Sequence, residues 1–422
     1  MSSNIRSRMT SEDYADLLIA YNGNLSVFDD FQDVTVHIIN FLHAIVHIPV
    51  SQVTDEIIYR YGYSAMPTLY GLVSQSSLEA SGILRLRSIP NFNLRGQGVL
   101  IGIIDSGIDY TNPAFRNADG TTRIAAIWDQ TIDSDNYPEF AQYGTEYTRE
   151  QINEALRSDD PLSIVPTNDE IGHGTMVAGI AAGSEIPDSN FTGVAPDSEL
   201  VVVKLKQAKK YLRDFFLVKE DVPCYESIDI LFAVEYLRLT AIALERPIAV
   251  CVAVNTSFGP HDGRDVLTSY LSLISRNVGF GVIIAAGNEG NARRHYFGRI
   301  NETMEYNEIE INVGENERGF TMELWGNHPS LFSVDIQSPS GEYVPRVQPR
   351  LNETREVSFI FEQTIINLDY QSVESQSGDE LILFRFKKPT PGIWRIRVYE
   401  ELKLESSFHI WLPMEGFISD NT

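Results

Sequence analysis

Three stretches of this 422-residue sequence carry side chains suited to chemistry. In Ile101-Gly-Ile-Ile-Asp105-Ser-Gly-Ile-Asp109 an apolar run leads into an acid followed by Ser-Gly. A buried parallel strand reads this way when it delivers a carboxylate to the carboxyl edge of a sheet. In Asn168-Asp-Glu-Ile-Gly-His173-Gly-Thr-Met-Val-Ala-Gly179 an imidazole sits between two glycines at the head of a small-residue run. In Val282-Ile-Ile-Ala-Ala-Gly-Asn288-Glu-Gly290 an apolar strand ends in Gly-Asn. Carboxylate, imidazole and carboxamide are groups of acid–base chemistry with an amide donor for developing negative charge. Each also has a structural explanation by itself. A strand-end Asp can bond its own turn, a His can cap a helix, and an Asn can hold a turn.

In the order Asp, His, Asn, the three strings resemble those of the subtilisin-like serine peptidases (subtilases, family S8). The resemblance implies that Asp105 orients His173, that His173 is the general base, and that Asn288 is the side-chain donor of an oxyanion hole. Asn255-Thr-Ser257-Phe258-Gly259 resembles the family's substrate-binding edge, where backbone pairs with an extended peptide as an added strand. Ser257, Phe258 and Gly259 are the substrate-binding residues it implies. Gly193-Val-Ala-Pro196 resembles another recurrent turn of the family, with a structural role. The family further implies acyl-transfer hydrolysis of protein or peptide substrates, with an N-terminal propeptide as intramolecular inhibitor.

One family element has no counterpart. The nucleophilic serine belongs to a Gly-Thr-Ser-Met-Ala-like string well after the oxyanion Asn, and none follows Asn288. Gly144-Thr-Glu146 has the wrong third residue and precedes His173, and Tyr63-Ser64-Ala65-Met66-Pro67 lies before Asp105. The expectation is a truncated serine endopeptidase that is inactive as this chain alone. Its alternatives are a peptide-binding pseudoprotease with a signalling role, or a split enzyme completed by a second chain. Absent sheet strands and an absent central helix are expected to leave apolar surface exposed on the parallel core.

The elements that must position these residues divide the chain in three. Residues 91–290 alternate strands (Val99–Ile104, Glu199–Leu205, Ala249–Asn255, Gly281–Ala286) with helices (Gly174–Ala182, Ser227–Leu244, Asp265–Val278), the pattern of an α/β parallel sheet covered on both faces. This is the expected subtilisin-like core, incomplete at its C-terminus. Residues 1–90 read as an α+β, propeptide-like domain. It has strands between Phe31 and Val50 and a capped helix from Ser51, and a cut that removed it is expected between about Ile83 and Asn93. Residues 291–415 alternate in short runs separated by Gly, Pro and Asn, which reads as an all-β sandwich of jelly-roll type. A jelly roll inserted in the protease domain resembles the Csp-type germination subtilases of clostridia.

Composition bounds the rest. The net charge of −25 argues against a nucleic-acid partner. Two cysteines, Cys224 and Cys251, exclude a disulfide framework, and Cys251 lies in an apolar run as a core residue. No run of 18 apolar residues would span a membrane, and the first ten residues have no apolar leader, so the expected location is cytoplasmic or spore-associated. No cofactor is expected. Calcium is common in the family, but Asp133-Ser-Asp-Asn136 is too short to assign as a site. His37, His43 and His47 fit no ligand spacing and are read as partly exposed strand residues.

Overall fold

The computed structural model describes residues 2–31, 34–72, 94–186, 191–349, 353–419 and 421–422. The expected cut between Ile83 and Asn93 lies outside these described residues.

The N-terminal domain contains helix α1 (Ser2–Thr10), strands β1 (Tyr14–Ala20), β2 (Thr35–Ile38) and β3 (His43–Pro49), the one-turn helix α2 (Ile57–Tyr61), and β4 (Leu69–Leu72). Its antiparallel sheet has the order β1-β3-β2. The helix expected from Ser51 starts later. Val50–Gln52 is a 3-10 turn, and α2 begins after Glu56 without a side-chain cap. The sheet also differs from its half-exposed reading, because both faces are covered. Leu17 and Val46 join a cluster with Leu212 and Phe216, whereas Leu18 and Ile45 join the core around Leu231 and Phe232. His37, His43 and His47 are therefore buried, not partly exposed.

The core carries β5 (Leu100–Asp105), β6 (Ile124–Asp129), β7 (Thr145–Thr148), α3 (Arg149–Arg157), α4 (His173–Ala182), β8 (Glu199–Lys204), α5 (Lys210–Phe215), β9 (Tyr225–Glu226), α6 (Ser227–Ala243), β10 (Ile248–Val252), β11 (Val254–Asn255), α7 (Val266–Ile274) and β12 (Phe280–Ile284). Among the described residues its sheet runs β12-β10-β5-β8-β6-β7, parallel except for β7. Successive side chains point to opposite faces, so each strand feeds two cores. Val201 and Val203 meet α6 through Leu231 and Val234, and Leu200 and Val202 meet α4 through Val177 and Ala182. A helix apolar on every side must be buried on every side. Residues 227–237 of α6 are buried throughout, because the N-terminal sheet covers what the core sheet does not. On the outer strand β12, Ile283 and Ile284 are 55% and 50% exposed, so this edge of the sheet presents apolar surface.

Two antiparallel sheets form the third region. One is ordered β13 (His295–Ile300), β22 (Ser406–Trp411), β15 (Gly319–Gly326), β20 (Glu380–Lys387), β19 (Ile365–Gln371), β18 (Glu353–Ser358). The other is ordered β14 (Asn307–Val313), β21 (Gly392–Glu400), β16 (Phe332–Gln337), β17 (Tyr343–Val347). Phe320, Phe384 and Phe386 of one sheet share a core with Trp394, Ile396 and Phe332 of the other. The sandwich grips the N-terminal domain as well as the core. Arg385 and Lys387 of β20 pair with Asp55 at 2.9 Å each.

Candidate active site

Asp105 is the last residue of β5, and its carboxylate is fully buried. Its apolar strand is central in the sheet, so the side chain emerges at the carboxyl edge where crossover loops leave room for a site. His173 opens α4 directly beside it. His173 Nδ1 lies 2.8 Å from Asp105 Oδ1 and 2.9 Å from Oδ2, and Ser106 N donates to Oδ1 at 2.7 Å. This fixes the ring with Nδ1 toward the carboxylate.

Two glycines allow the approach. Gly172 caps α4 in the left-handed region (φ 83°), so the chain turns into the helix at His173 itself. A Cβ on Gly174 would stand 2.2 Å from Gly107 O and 3.0 Å from Asp105 Cβ. Gly174→Ala must therefore push α4 off the β5 turn. Strain of this kind costs about 1–3 kcal/mol, and the Asp105–His173 bond should break with it. The low-field proton resonance of that bond, observed by NMR, would report its loss.

Asn288 follows β12 on the same carboxyl edge. Ile104, Val252 and Ile284 are level across β5, β10 and β12, so Asp105 and the Asn288 loop are separated by two strand spacings, roughly 10 Å. Gly287 (φ 86°) packs on Asn255, where a Cβ would meet Nδ2 at 2.2 Å, and this seats the Asn288 turn against β11. Glu289 Oε1 accepts from Glu415 N at 2.9 Å, clipping the returning end of the sandwich to that turn.

The expected substrate edge is already paired. β4 of the N-terminal domain lies between β11 and β9, antiparallel to both, with Asn255 opposite Gly71, Val254 opposite Leu72, Leu69 opposite Glu226 and Tyr70 opposite Tyr225. Ser257, Phe258 and Gly259 follow directly and make internal contacts. Ser257 O accepts from His261 Nε2 at 3.0 Å, the Phe258 ring lies 4.7 Å from that of Phe216, tilted by 37°, and Gly259 N donates to Glu323 Oε2 at 2.8 Å. Beside β4 a cavity of about 270 Å³ is lined by Tyr70, Val254, Asn255, Leu267, Ala285 and Ala286.

Sequence reasoning missed Glu323, a mid-strand residue of β15 in an alternating run. Its buried carboxyl takes Tyr63 OH at 2.5 Å, Gly259 N at 2.8 Å and Trp325 Nε1 at 2.9 Å, so all three regions meet on it. Burial pushes it up to about 7. Asp169, four residues before His173, was also passed over. A network of hydrogen bonds from Thr175, Ser106 and Gly172 outweighs its burial and holds it below the usual carboxylate range. Burial pushes the Cys251 thiol up to about 11 and Cys224 to about 12, leaving neither as a nucleophile near neutrality. Among the described residues no cluster of three or more His, Cys, Asp or Glu is placed to hold a metal. Asp133 and Asp135 instead pair with Arg6 at 3.0 and 3.1 Å, which does not suit a calcium site.

A solved structure of the Clostridium perfringens CspB protease superposes with a TM-score of 0.70 at 29% identity, over 82% of this chain and 67% of that one. Two Arabidopsis thaliana proteins are similar over shorter stretches. Subtilisin-like protease SBT3.8 is 26% identical over 35% of this chain, and subtilisin-like protease SBT1.9 is 30% identical over 26%. The matched stretches span only 20% and 16% of those two proteins' own lengths. Residues 96–313 match the model of the subtilase family, peptidase S8. That match takes in more than half of the chain, including Asp105, His173 and Asn288, and the chain belongs to the subtilase family.

Proposed function

We propose that this chain is the acid–base and substrate-binding part of a serine endopeptidase that cleaves extended protein segments by acyl transfer. The observation that carries the reading is the buried Asp105 held at 2.8 and 2.9 Å from His173 Nδ1. In that arrangement Asp105 fixes the tautomer and stabilises the imidazolium, and Nε2 is the nitrogen that exchanges a proton with the nucleophile and then the leaving amine. Asn288 would donate to the oxyanion, a contribution worth about 2.7–4 kcal/mol in such sites. The substrate adds as a strand between β11 and β9, the place β4 takes here, and an apolar side chain beside it suits the cavity lined by Val254, Leu267 and Ala285.

The position of β4 supports a second part of the reading, that the N-terminal domain is an intramolecular inhibitor seated like a substrate. Among the described residues no helix is long and apolar enough to cross a membrane. A cytoplasmic or spore-associated location belongs to the same reading.

The nucleophile is the remaining element. No Gly-Thr-Ser string occurs in the 422 residues, so the chain alone should leave peptides uncleaved. A fluorophosphonate probe tests both parts. The 422-residue chain should not label, and the protein as its source makes it should label on one serine, with loss of labelling in His173→Ala. A label on a serine within these residues would overturn the first statement. A native protein that neither labels nor cleaves would overturn the endopeptidase reading.

A further inference from the structure

We propose that Asp169 is a positioning residue for the Asp105–His173 pair, acting on it through Ser106 and the first turn of α4. The inference rests on the acyl-transfer reading above and assigns a role to Asp169, one of the two carboxylates of the His173 string that this reading leaves unused.

The two oxygens of Asp169 accept four hydrogen bonds. Oδ1 takes Ser106 Oγ at 2.8 Å and Gly172 N at 2.9 Å, and Oδ2 takes Thr175 N and Thr175 Oγ1, both at 2.8 Å. Each hydroxyl then accepts a backbone N–H from the opposite segment. Gly174 N donates to Ser106 Oγ at 3.0 Å, and Asp109 N donates to Thr175 Oγ1 at 2.8 Å. Ser106 N closes the circuit on Asp105 Oδ1 at 2.7 Å. The network joins the turn after β5, which carries Asp105, to the start of α4, which carries His173. The amides on either side of His173 are both fixed by it, Gly172 N directly and Gly174 N through Ser106.

There is a local reason for a carboxylate at this place. The first N–H groups of a helix have no partner within it, and a side chain at the cap normally supplies one. Here the cap is Gly172, which has no side chain and is held at φ 83°. Asp169 caps α4 from outside, on Thr175 N, and Ser106 takes Gly174 N. Charged acceptors at a helix start are favoured by its dipole, and hydrogen bonds to a charged group are stronger than neutral ones. The same contacts therefore start the helix at His173 and set the imidazole's distance from Asp105.

A merely structural Asp169 would alter melting and leave the His173 ring unchanged, so the ring is the group to observe. In the intact chain with labelled histidine, NMR should show a low-field proton between His173 Nδ1 and Asp105, together with a His173 titration. In Asp169→Asn one N–H loses its acceptor and a negative charge is removed. The low-field proton should shift or broaden away, and the midpoint should fall by about one pH unit, a tenfold loss of proton affinity. Thr175→Val, nearly isosteric but without the hydroxyl, should give a smaller change in the same direction, and Thr175→Ser should restore the wild-type signal. Unchanged proton and midpoint in folded Asp169→Asn overturn the proposal, and if that variant does not fold, Thr175→Val decides it by the same readouts. Failure of the wild type to show the low-field proton at all would instead overturn the acyl-transfer reading on which the proposal depends.

Discussion

Replacing Lys209 by Met is expected to loosen the N-terminal domain by about 3–5 kcal/mol, the cost of leaving one charge of a buried pair alone. Lys209 belongs to the core, yet its ammonium is bound by the N-terminal domain. Nζ lies 2.7 Å from Asp16 Oδ2, and it donates to Arg8 O at 2.9 Å and Tyr14 O at 3.3 Å. Both Asp16 and Lys209 are almost wholly buried. Burial by itself would push Asp16 up, but Lys209 and the His47 ring, whose Nδ1 is 2.6 Å from Asp16 Oδ1, outweigh it and hold the carboxyl far below its usual range. Tyr211 adds a reciprocal pair, accepting from Asp16 N at 3.0 Å and donating to Asp16 O at 2.9 Å.

Without the ammonium, His47 is the one partner left to the Asp16 carboxylate among the described residues, in a place water does not reach. Hydrogen exchange of the β1 and β3 amides should then rise steeply, because opening of the docked domain exposes them. The pair itself need not be stabilising. Replacing Asp16, His47 and Lys209 together by apolar residues of similar size should recover most of the loss, since buried ion pairs often do no better than well-packed hydrocarbon. A cost for Lys209→Met below about 1 kcal/mol, the range of solvated surface pairs, would sink this account of the docking.

The parts of the site legible from the sequence were those whose signal is local. Ile101–Asp105 reads as a buried strand because helices pack on both of its faces, and a His between Gly172 and Gly174 needs a helix start that only glycine permits. Strand β6, the edge strand β7 and helix α3 were missed, although Thr148 and Gln151 form a capping box at the start of α3 and so offered a signal. The N-terminal histidines were misread for a different reason. Alternation in a strand predicts one solvated face, but the second face of this sheet is buried on α6 and α7, which lie some 200 residues away in the chain. Glu323 is the same case. Its partners Tyr63 and Gly259 come from the other two regions, so nothing near it in sequence distinguishes it from a solvent-facing Glu.

His43→Phe is expected to stabilise the protein by about 3 kcal/mol at pH 4 and by much less at pH 8. The His43 ring is buried edge-on to Tyr270 of α7, at 6.0 Å and 87°, and its Nδ1 has no hydrogen-bond partner among the described residues. Burial pushes it down to about 4. A histidine depressed in the folded state contributes stability that is fully present above its unfolded value, near 6.5, and is lost as pH falls toward 4. His37 follows the same sign. Burial pushes it down to about 4 against the pull of Phe140 O, which accepts from its Nε2 at 2.9 Å, and its ring lies 5.0 Å from Phe232 of α6. Buried carboxyls oppose this trend. Glu226 and Glu323 are pushed up to about 7 and Glu380 to about 8 by burial, so they destabilise the fold in their charged forms and cease to do so as pH falls. The wild-type profile sums both trends, and its slope alone identifies neither. The difference between His43→Phe and wild type cancels the carboxyls and isolates one ring. Phe keeps the edge contact on Tyr270 and removes a buried nitrogen without a partner, a change that is neutral or favourable even at high pH. Urea denaturation at several pH values between 8 and 4 measures that difference. A gain that does not grow as pH falls below 6.5 would mean that His43 reaches solvent and that the N-terminal domain is not sealed on α7 as described.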